Sequence, residues 1–137
     1  VIEKFVIDNW PLIAVAFVSG AMLVWPLVAG ARGGARVSTL QATQMINHKD
    51  AVVIDIREQA EYSRGHIANA KSFPVKVLDE RRAEIEKLKS HPVIVSCDTG
   101  QRAGAAADKL RALGLADVYV LTGGLNAWRE AGLPVSK

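Results

Sequence analysis

From Asn9 to Ala31 the chain carries no charged residue, whereas from Arg32 onward charges return every few positions. Trp10–Ala31 reads WPLIAVAFVSGAMLVWPLVAGA, with Ser19 as its one polar side chain. As an α-helix these roughly 22 residues rise about 33 Å, close to the ~30 Å hydrocarbon core of a bilayer. Trp10 and Trp25 stand near its two ends, where an indole buries its ring and still finds a hydrogen-bond partner at the interface. Gly20 and Pro26 are better tolerated in a membrane helix than in a water-exposed one. The remainder of the chain is too small to enclose a helix that is apolar on every side. A cleaved signal peptide is the rival reading, because Ala29-Gly30-Ala31 has a small-x-small pattern. Against it, the apolar stretch exceeds the usual length, and the preceding VIEKFVIDN carries two acids against one lysine. We therefore expect a single-pass anchor over residues 10–31. Arg32 and Arg36 follow it and only Lys4 precedes it, so the positive-inside rule places the C-terminal domain in the cytoplasm, on the cell (inner) membrane.

The break also sets the domain organisation: residues 1–36 form an anchor and linker, and residues 37–137 an independent domain. About 100 residues can bury roughly two-thirds of their unfolded surface, enough for a core of their own. Gly30-Ala-Arg-Gly-Gly-Ala reads as a short flexible linker. The net charge of +3 points to no polyanionic partner, because Lys and Arg are interspersed with acids rather than gathered on one stripe. No nucleic-acid partner is expected. A single cysteine rules out an intramolecular disulfide and suits a reducing compartment. His48, His66 and His91 have no metal-ligand spacing, so neither a metal nor a cofactor is expected.

Within the domain, strand-like and helix-like runs alternate. Ser38-Thr-Leu-Gln41 is a capping box that starts a helix to about Asn47, with Leu40 and Ile46 inward. Ala51–Ile56 and Pro92–Ser96 are short apolar runs of the kind buried on both faces of a parallel sheet, and both should lie at its centre. Glu58–Ser63 predicts a short helix, His66–Ala70 a brief strand or extended segment, and Val77–Lys89 a longer helix stopped by Pro92. Arg102–Leu113 predicts a helix with Ala103, Ala106, Ala107, Leu110 and Leu113 on one face and Gly114 as its stop. Val118–Leu121 is a third strand, and Gly123-Gly124 turns into a last helix through Trp128, a core residue. The alternation argues for an α/β domain with a mostly parallel sheet covered on both faces.

The chemistry concentrates in Cys97-Asp98-Thr99-Gly100-Gln101-Arg102, between the carboxyl end of a buried strand and the start of a helix. Ligands bind at that end of open α/β sheets. Free N–H groups at the helix start, and a tight turn at Gly100, make a cradle for an anion. Arg102 adds a forked, permanently charged donor. An ordinary thiol is only about 3% thiolate at pH 7, and the helix start, converging N–H groups and Arg102 all favour the thiolate, while Asp98 opposes it. Cys97 thus reads as a nucleophile rather than a buried filler. Asp55, Arg57, Glu61 and His66 read as structural: a carboxylate and guanidinium pairing at a strand end, and a histidine bracing a turn. Lys76, Arg81 and Arg82 read as a solvated helix face.

The loop, with its flanking IVSCDTGQRAGAAADKL, resembles the active-site loop of the rhodanese (thiosulfate sulfurtransferase-like) family. Asp55-Ile-Arg57, Glu61-Tyr62, Gly65-His66-Ile67, Ala70 and Phe73-Pro74 resemble a second family segment, and Gly123-Gly124-Leu-Asn-Ala127-Trp128 a third. A transmembrane helix ahead of one such domain is similar to a membrane-anchored bacterial subgroup. The resemblance implies about five mostly parallel strands with helices on both faces. It also implies that Cys97 takes sulfane sulfur as a persulfide, that the backbone of Asp98, Thr99, Gly100, Gln101 and Arg102 cradles that sulfur and the donor, and that Arg102 assists with its charge. The implied partners are a small-molecule sulfur donor such as thiosulfate and an external acceptor, a thiol or cyanide, because no second cysteine is present. Ala103, where serine is frequent, and Asp98, beside the nucleophile, depart from the commonest pattern, and the charge of Asp98 disfavours small dianions. Two other functions fit parts of the pattern. Phosphatase or arsenate-reductase chemistry on a related fold uses a Cys-x5-Arg loop, one residue longer than this one. A non-catalytic tethering module would not need the cysteine that this chain keeps.

Overall fold

The structure, a computed structural model, describes residues 1–32 and 35–137, with the side chains of 27–32 outside the described set. It comprises two compact units, Val1–Arg32 and Gly33–Lys137.

The first unit is a single helix, α1 (Ile2–Arg32), with Pro11 and Pro26 inside it. It begins eight residues before Trp10, because VIEKFVIDN is itself helical, with the Asn9 side-chain amide donating to the Phe5 carbonyl at 2.8 Å. Trp10 therefore does not mark the helix start. The stretch Ile2–Pro26 is long and apolar enough to cross a membrane. Of the expected linker, Gly30–Arg32 continues the helix and Ala35 opens a strand, while Gly33–Gly34 lie outside the described residues.

The second unit is built on a five-stranded, all-parallel sheet in the order β1-β6-β5-β2-β4. Its strands are β1 (Ala35–Val37), β2 (Val52–Asp55), β4 (Lys71–Ser72), β5 (Val93–Ser96) and β6 (Val118–Leu121). The two apolar runs lie where they were expected: β5 is central and β2 pairs beside it, with Val53 opposite Ile94 and Ile54 opposite Val95. Alternation along these strands divides the core. Ile54, Val93, Val95 and Val120 face one side, against α5 (Ala103–Ala112) and Leu78, Ile85 and Leu88. Val53, Ile94 and Leu121 face the other, against α2 (Thr39–Lys49) and α6 (Gly124–Glu130). A separate antiparallel pair joins β3 (His66–Ile67) to β7 (Val135–Ser136), below α3 (Gln59–Arg64) in chain order.

The capping box forms: Ser38 Oγ accepts from the Gln41 N–H at 3.1 Å, and Gln41 Oε1 accepts from the Ser38 N–H at 2.9 Å. Leu40 is nonetheless 67% exposed, contrary to expectation. The face of α2 that meets the sheet is set by Ala42, Met45 and Ile46, and Leu40 lies about 200° around the helix from Ala42. The long helix expected over Val77–Lys89 is broken as well. A 3₁₀ turn at Val75–Val77 and a short α4 (Arg82–Glu86) stand in its place, with i→i+3 bonds from Leu78 N–H to the Val75 carbonyl and from Leu88 N–H to the Ile85 carbonyl. Leu78, Ile85 and Leu88 nonetheless all pack in the core on one side of the sheet. Arg81 is correspondingly not a purely solvated residue: it lies 4.0 Å over the Phe73 ring and donates to the Ser72 carbonyl at 2.7 Å.

Candidate active site

Val93, Val95 and Cys97 continue one alternation, so the cysteine enters the same apolar face as the strand that delivers it and is 1% exposed. The chain then turns sharply through Gly100, whose φ is +87°. A Cβ there would lie 3.0 Å from the Leu121 carbonyl oxygen and 3.3 Å from the Gly123 nitrogen, so only glycine fits the turn. The turn aims the Gly100 N–H at Cys97 Sγ, 2.9 Å away. Among the described residues, none accepts a hydrogen bond from the backbone N–H of Asp98, Thr99, Gln101 or Arg102.

The loop is braced from behind by the start of α6. Leu125 N–H donates to the Cys97 carbonyl at 2.8 Å, and Asn126 N–H to the Asp98 carbonyl at 3.1 Å. Gly124 comes so close that a Cβ would lie 2.3 Å from the Cys97 carbonyl oxygen and 2.8 Å from that of Asp98. Gly123 and Gly124 both adopt left-handed backbone, with φ of +75° and +56°. The sequence pattern marks Gly123-Gly124 as a turn; its contact with the cysteine loop is a long-range fact that no local pattern carries.

A charged network surrounds the loop. Asp55 is 2% exposed and accepts from three Arg57 donors: from Nε on both oxygens at 3.0 and 3.1 Å, from Nη2 at 2.7 Å and from the backbone N–H at 3.0 Å. Arg57 Nη2 also donates to the Gly65 carbonyl at 2.6 Å. Burial alone would lower the Arg57 pKa, but the hydrogen bonds and charge of Asp55, with a smaller contribution from Asp98, raise it above its ordinary value. The pairing read from the sequence is thus present, with an addition: Arg57 Nη1 reaches Asp98 Oδ1 at 3.3 Å, across 41 positions. Arg102 pairs with carboxylates at the rim. It is half exposed, with Nη2 at 3.2 Å from Asp98 Oδ2 and 3.8 Å from Glu61 Oε1. His66 braces its turn by stacking on Tyr62, ring centroids 3.8 Å apart, with Nδ1 at 2.9 Å from the Tyr62 carbonyl. Trp128 is core, its indole N–H bonded to the Pro134 carbonyl at 2.8 Å.

Of the expected site residues, Cys97 and Gly100 meet directly. Asp98, Thr99, Gln101 and Arg102 lie in the same strand-to-helix turn, with Thr99, Gln101 and Arg102 exposed. Arg57, Gly123 and Gly124 were not expected at the site. The first makes it through Asp98, the other two through the loop carbonyls.

Residues 38–131 match the rhodanese-like domain, and the chain belongs to that family. The chain is 33% identical over 134 residues to the uncharacterized protein YibN of Escherichia coli K12, covering 94% of this chain and 92% of the relative. It is 34% identical over 94 residues to the thiosulfate sulfurtransferase GlpE of Coxiella burnetii, covering 69% of this chain and 86% of that one. Among solved structures it resembles a rhodanese-related protein from Thermoplasma volcanium, at 30% identity and a TM-score of 0.66, covering 74% of this chain and 97% of that chain.

Proposed function

We propose that this protein is a membrane-anchored sulfurtransferase that moves sulfane sulfur from a donor, thiosulfate or a persulfide, to a thiol or cyanide acceptor through a persulfide on Cys97. The observation that carries the reading is the Gly100 N–H set 2.9 Å from Cys97 Sγ, in a loop whose other N–H groups have no described protein acceptor. The Cys97 thiolate attacks the outer sulfur of the donor, and the donor's S–S bond breaks. The electron pair leaves with sulfite when thiosulfate is the donor, or with a thiolate when a persulfide is. An acceptor thiolate or cyanide then attacks the outer sulfur on Cys97 and regenerates the Cys97 thiolate. In both half-reactions the loop N–H groups hold the negative sulfur as it forms or departs, which is electrostatic stabilisation by fixed dipoles. The Cys-x4-Arg spacing suits a single sulfur atom better than a tetrahedral oxyanion, which disfavours phosphatase or arsenate-reductase chemistry.

The uncharged span of α1 supports the anchor, and Arg32 and Arg36 support a cytoplasmic domain, where a lone reactive thiol stays reduced. The test of the chemistry is intact mass after incubation with thiosulfate or an organic persulfide. A gain of about 32 daltons, one sulfur, is expected on the wild type and none on Cys97→Ser. Absence of the adduct with every sulfane donor would leave a non-catalytic module in place of the enzyme.

A further inference from the structure

Asp98 follows the nucleophile directly, and its side chain is 43% exposed at the mouth of the loop. It is held in place: Oδ1 lies 3.3 Å from Arg57 Nη1 and Oδ2 lies 3.2 Å from Arg102 Nη2. Neither arginine has charge to spare. Arg57 is shared with buried Asp55, and Arg102 with Glu61. The connected groups are two guanidiniums, Arg57 and Arg102, against three carboxylates, Asp55, Glu61 and Asp98, one negative charge in excess. The nearby Lys76 is turned to Glu58, at 3.4 Å. The floor of the site differs in kind, since its donors are neutral backbone N–H groups.

We propose, resting on the sulfurtransferase reading, that Asp98 is a specificity-determining residue. It selects donors whose leaving group carries little or no net negative charge, such as organic persulfides that release an ammonium-bearing thiolate, over small dianions. The transferred sulfur is taken by the neutral floor whatever its source. The leaving group instead emerges over the rim, where sulfite from thiosulfate meets the excess negative charge and an ammonium-bearing thiolate meets attraction. The bond changes are those of the first half-reaction: Cys97 sulfur bonds to the outer sulfur of R–S–SH, its S–S bond breaks, and R–S⁻ leaves with the electron pair. One charge against a dianion at ~6 Å in a water-like dielectric is worth about ten-fold in rate. The effect shrinks as salt shortens the screening length.

The test measures loading of Cys97 by intact mass on the full chain in neutral detergent at low ionic strength. The two donors are thiosulfate and cysteamine persulfide generated in situ. Asp98→Asn is expected to lower the cysteamine-persulfide to thiosulfate rate ratio about ten-fold. Glu61→Gln keeps the helix-capping hydrogen bond possible and should lower the ratio about three-fold, from its greater distance. An unchanged ratio in both variants, with both donors still loading Cys97, overturns the role of Asp98 and leaves the sulfurtransferase reading standing. Failure of every donor to load the wild type brings down both.

Discussion

Gly124→Ala tests whether the start of α6 holds the cysteine loop. Gly124 has φ +56°, and an added Cβ would lie 2.3 Å from the Cys97 carbonyl oxygen and 2.9 Å from the Asp98 carbonyl carbon. Those are backbone atoms of the loop, so relief requires moving the loop or the helix. Left-handed backbone costs a residue with a Cβ about 1–2 kcal/mol. Separating the two elements also loses the Leu125-to-Cys97 and Asn126-to-Asp98 hydrogen bonds, each worth about 0.5–1.5 kcal/mol. The sum is about 2–5 kcal/mol. Gly132→Ala supplies the reference: φ is +71° there with nothing within 4 Å of the added Cβ. It should cost only the conformational part, about 1–2 kcal/mol. Urea unfolding of the full chain in detergent, followed by the fluorescence of buried Trp128, gives both numbers. Sulfur loading of Cys97 gives the functional half, and Gly124→Ala should load much more slowly while Gly132→Ala loads at the wild-type rate. If the two variants were equally stable and loaded equally fast, the bracing role of α6 would be refuted.

Arg57→Met leaves the Asp55 carboxylate buried without its partner and should cost about 3–5 kcal/mol in the same unfolding assay. A parallel loss with Arg57→Met, Asp55→Asn that is clearly smaller would assign the cost to the stranded charge. Arg102→Ala removes a half-exposed side chain, so stability should change by no more than about 1 kcal/mol. Thiosulfate loading of that variant should nevertheless fall about ten-fold, since the rim gains a net negative charge. The full chain should remain in the membrane fraction after an alkaline carbonate wash, with its α/β unit digested by protease in inside-out vesicles and protected in intact cells. Recovery in the soluble fraction or digestion from outside would overturn the anchor or its orientation.

The legible parts of this fold are those where one short window carries the physics. Val93–Ser96 and Val52–Asp55 are buried on both faces, so the apolar run is itself the signal. Ala103, Ala106, Ala107 and Leu110 repeat at helical spacing, and all four are buried. The edge strands β1 and β4 were not legible. Ala35–Val37 and Lys71–Ser72 are too short and too polar to show a period, and they are strands only because β6 and β2 offer them partners. Leu40 misled for the converse reason: its residue type suggests the core, but the sheet-facing side of α2 is fixed by Ala42, Met45 and Ile46. At the site, Cys97 and Gly100 were legible because three positions of chain separate them. Arg57 was legible only as far as Asp55, two positions away, and its bond to Asp98 depends on how β2 and β5 pair.

That pairing gives the site two layers that respond to different perturbations. The floor is backbone: the Gly100 N–H on Cys97 Sγ, held by carbonyl contacts to α6. Its donors carry no net charge and their placement depends on left-handed glycines, so a change at Gly100 or Gly124 should slow every sulfur donor alike. The rim is side chain: Asp98, Arg102 and Glu61, exposed enough for salt to screen them. A change there should reorder donors by charge while leaving the fold nearly as stable. Buried Arg57 belongs to both layers, since it neutralises Asp55 beneath the sheet's carboxyl edge and steadies Asp98 above it. Its substitution should therefore lower stability and disturb donor preference together, which neither a floor glycine nor a rim carboxylate should do alone.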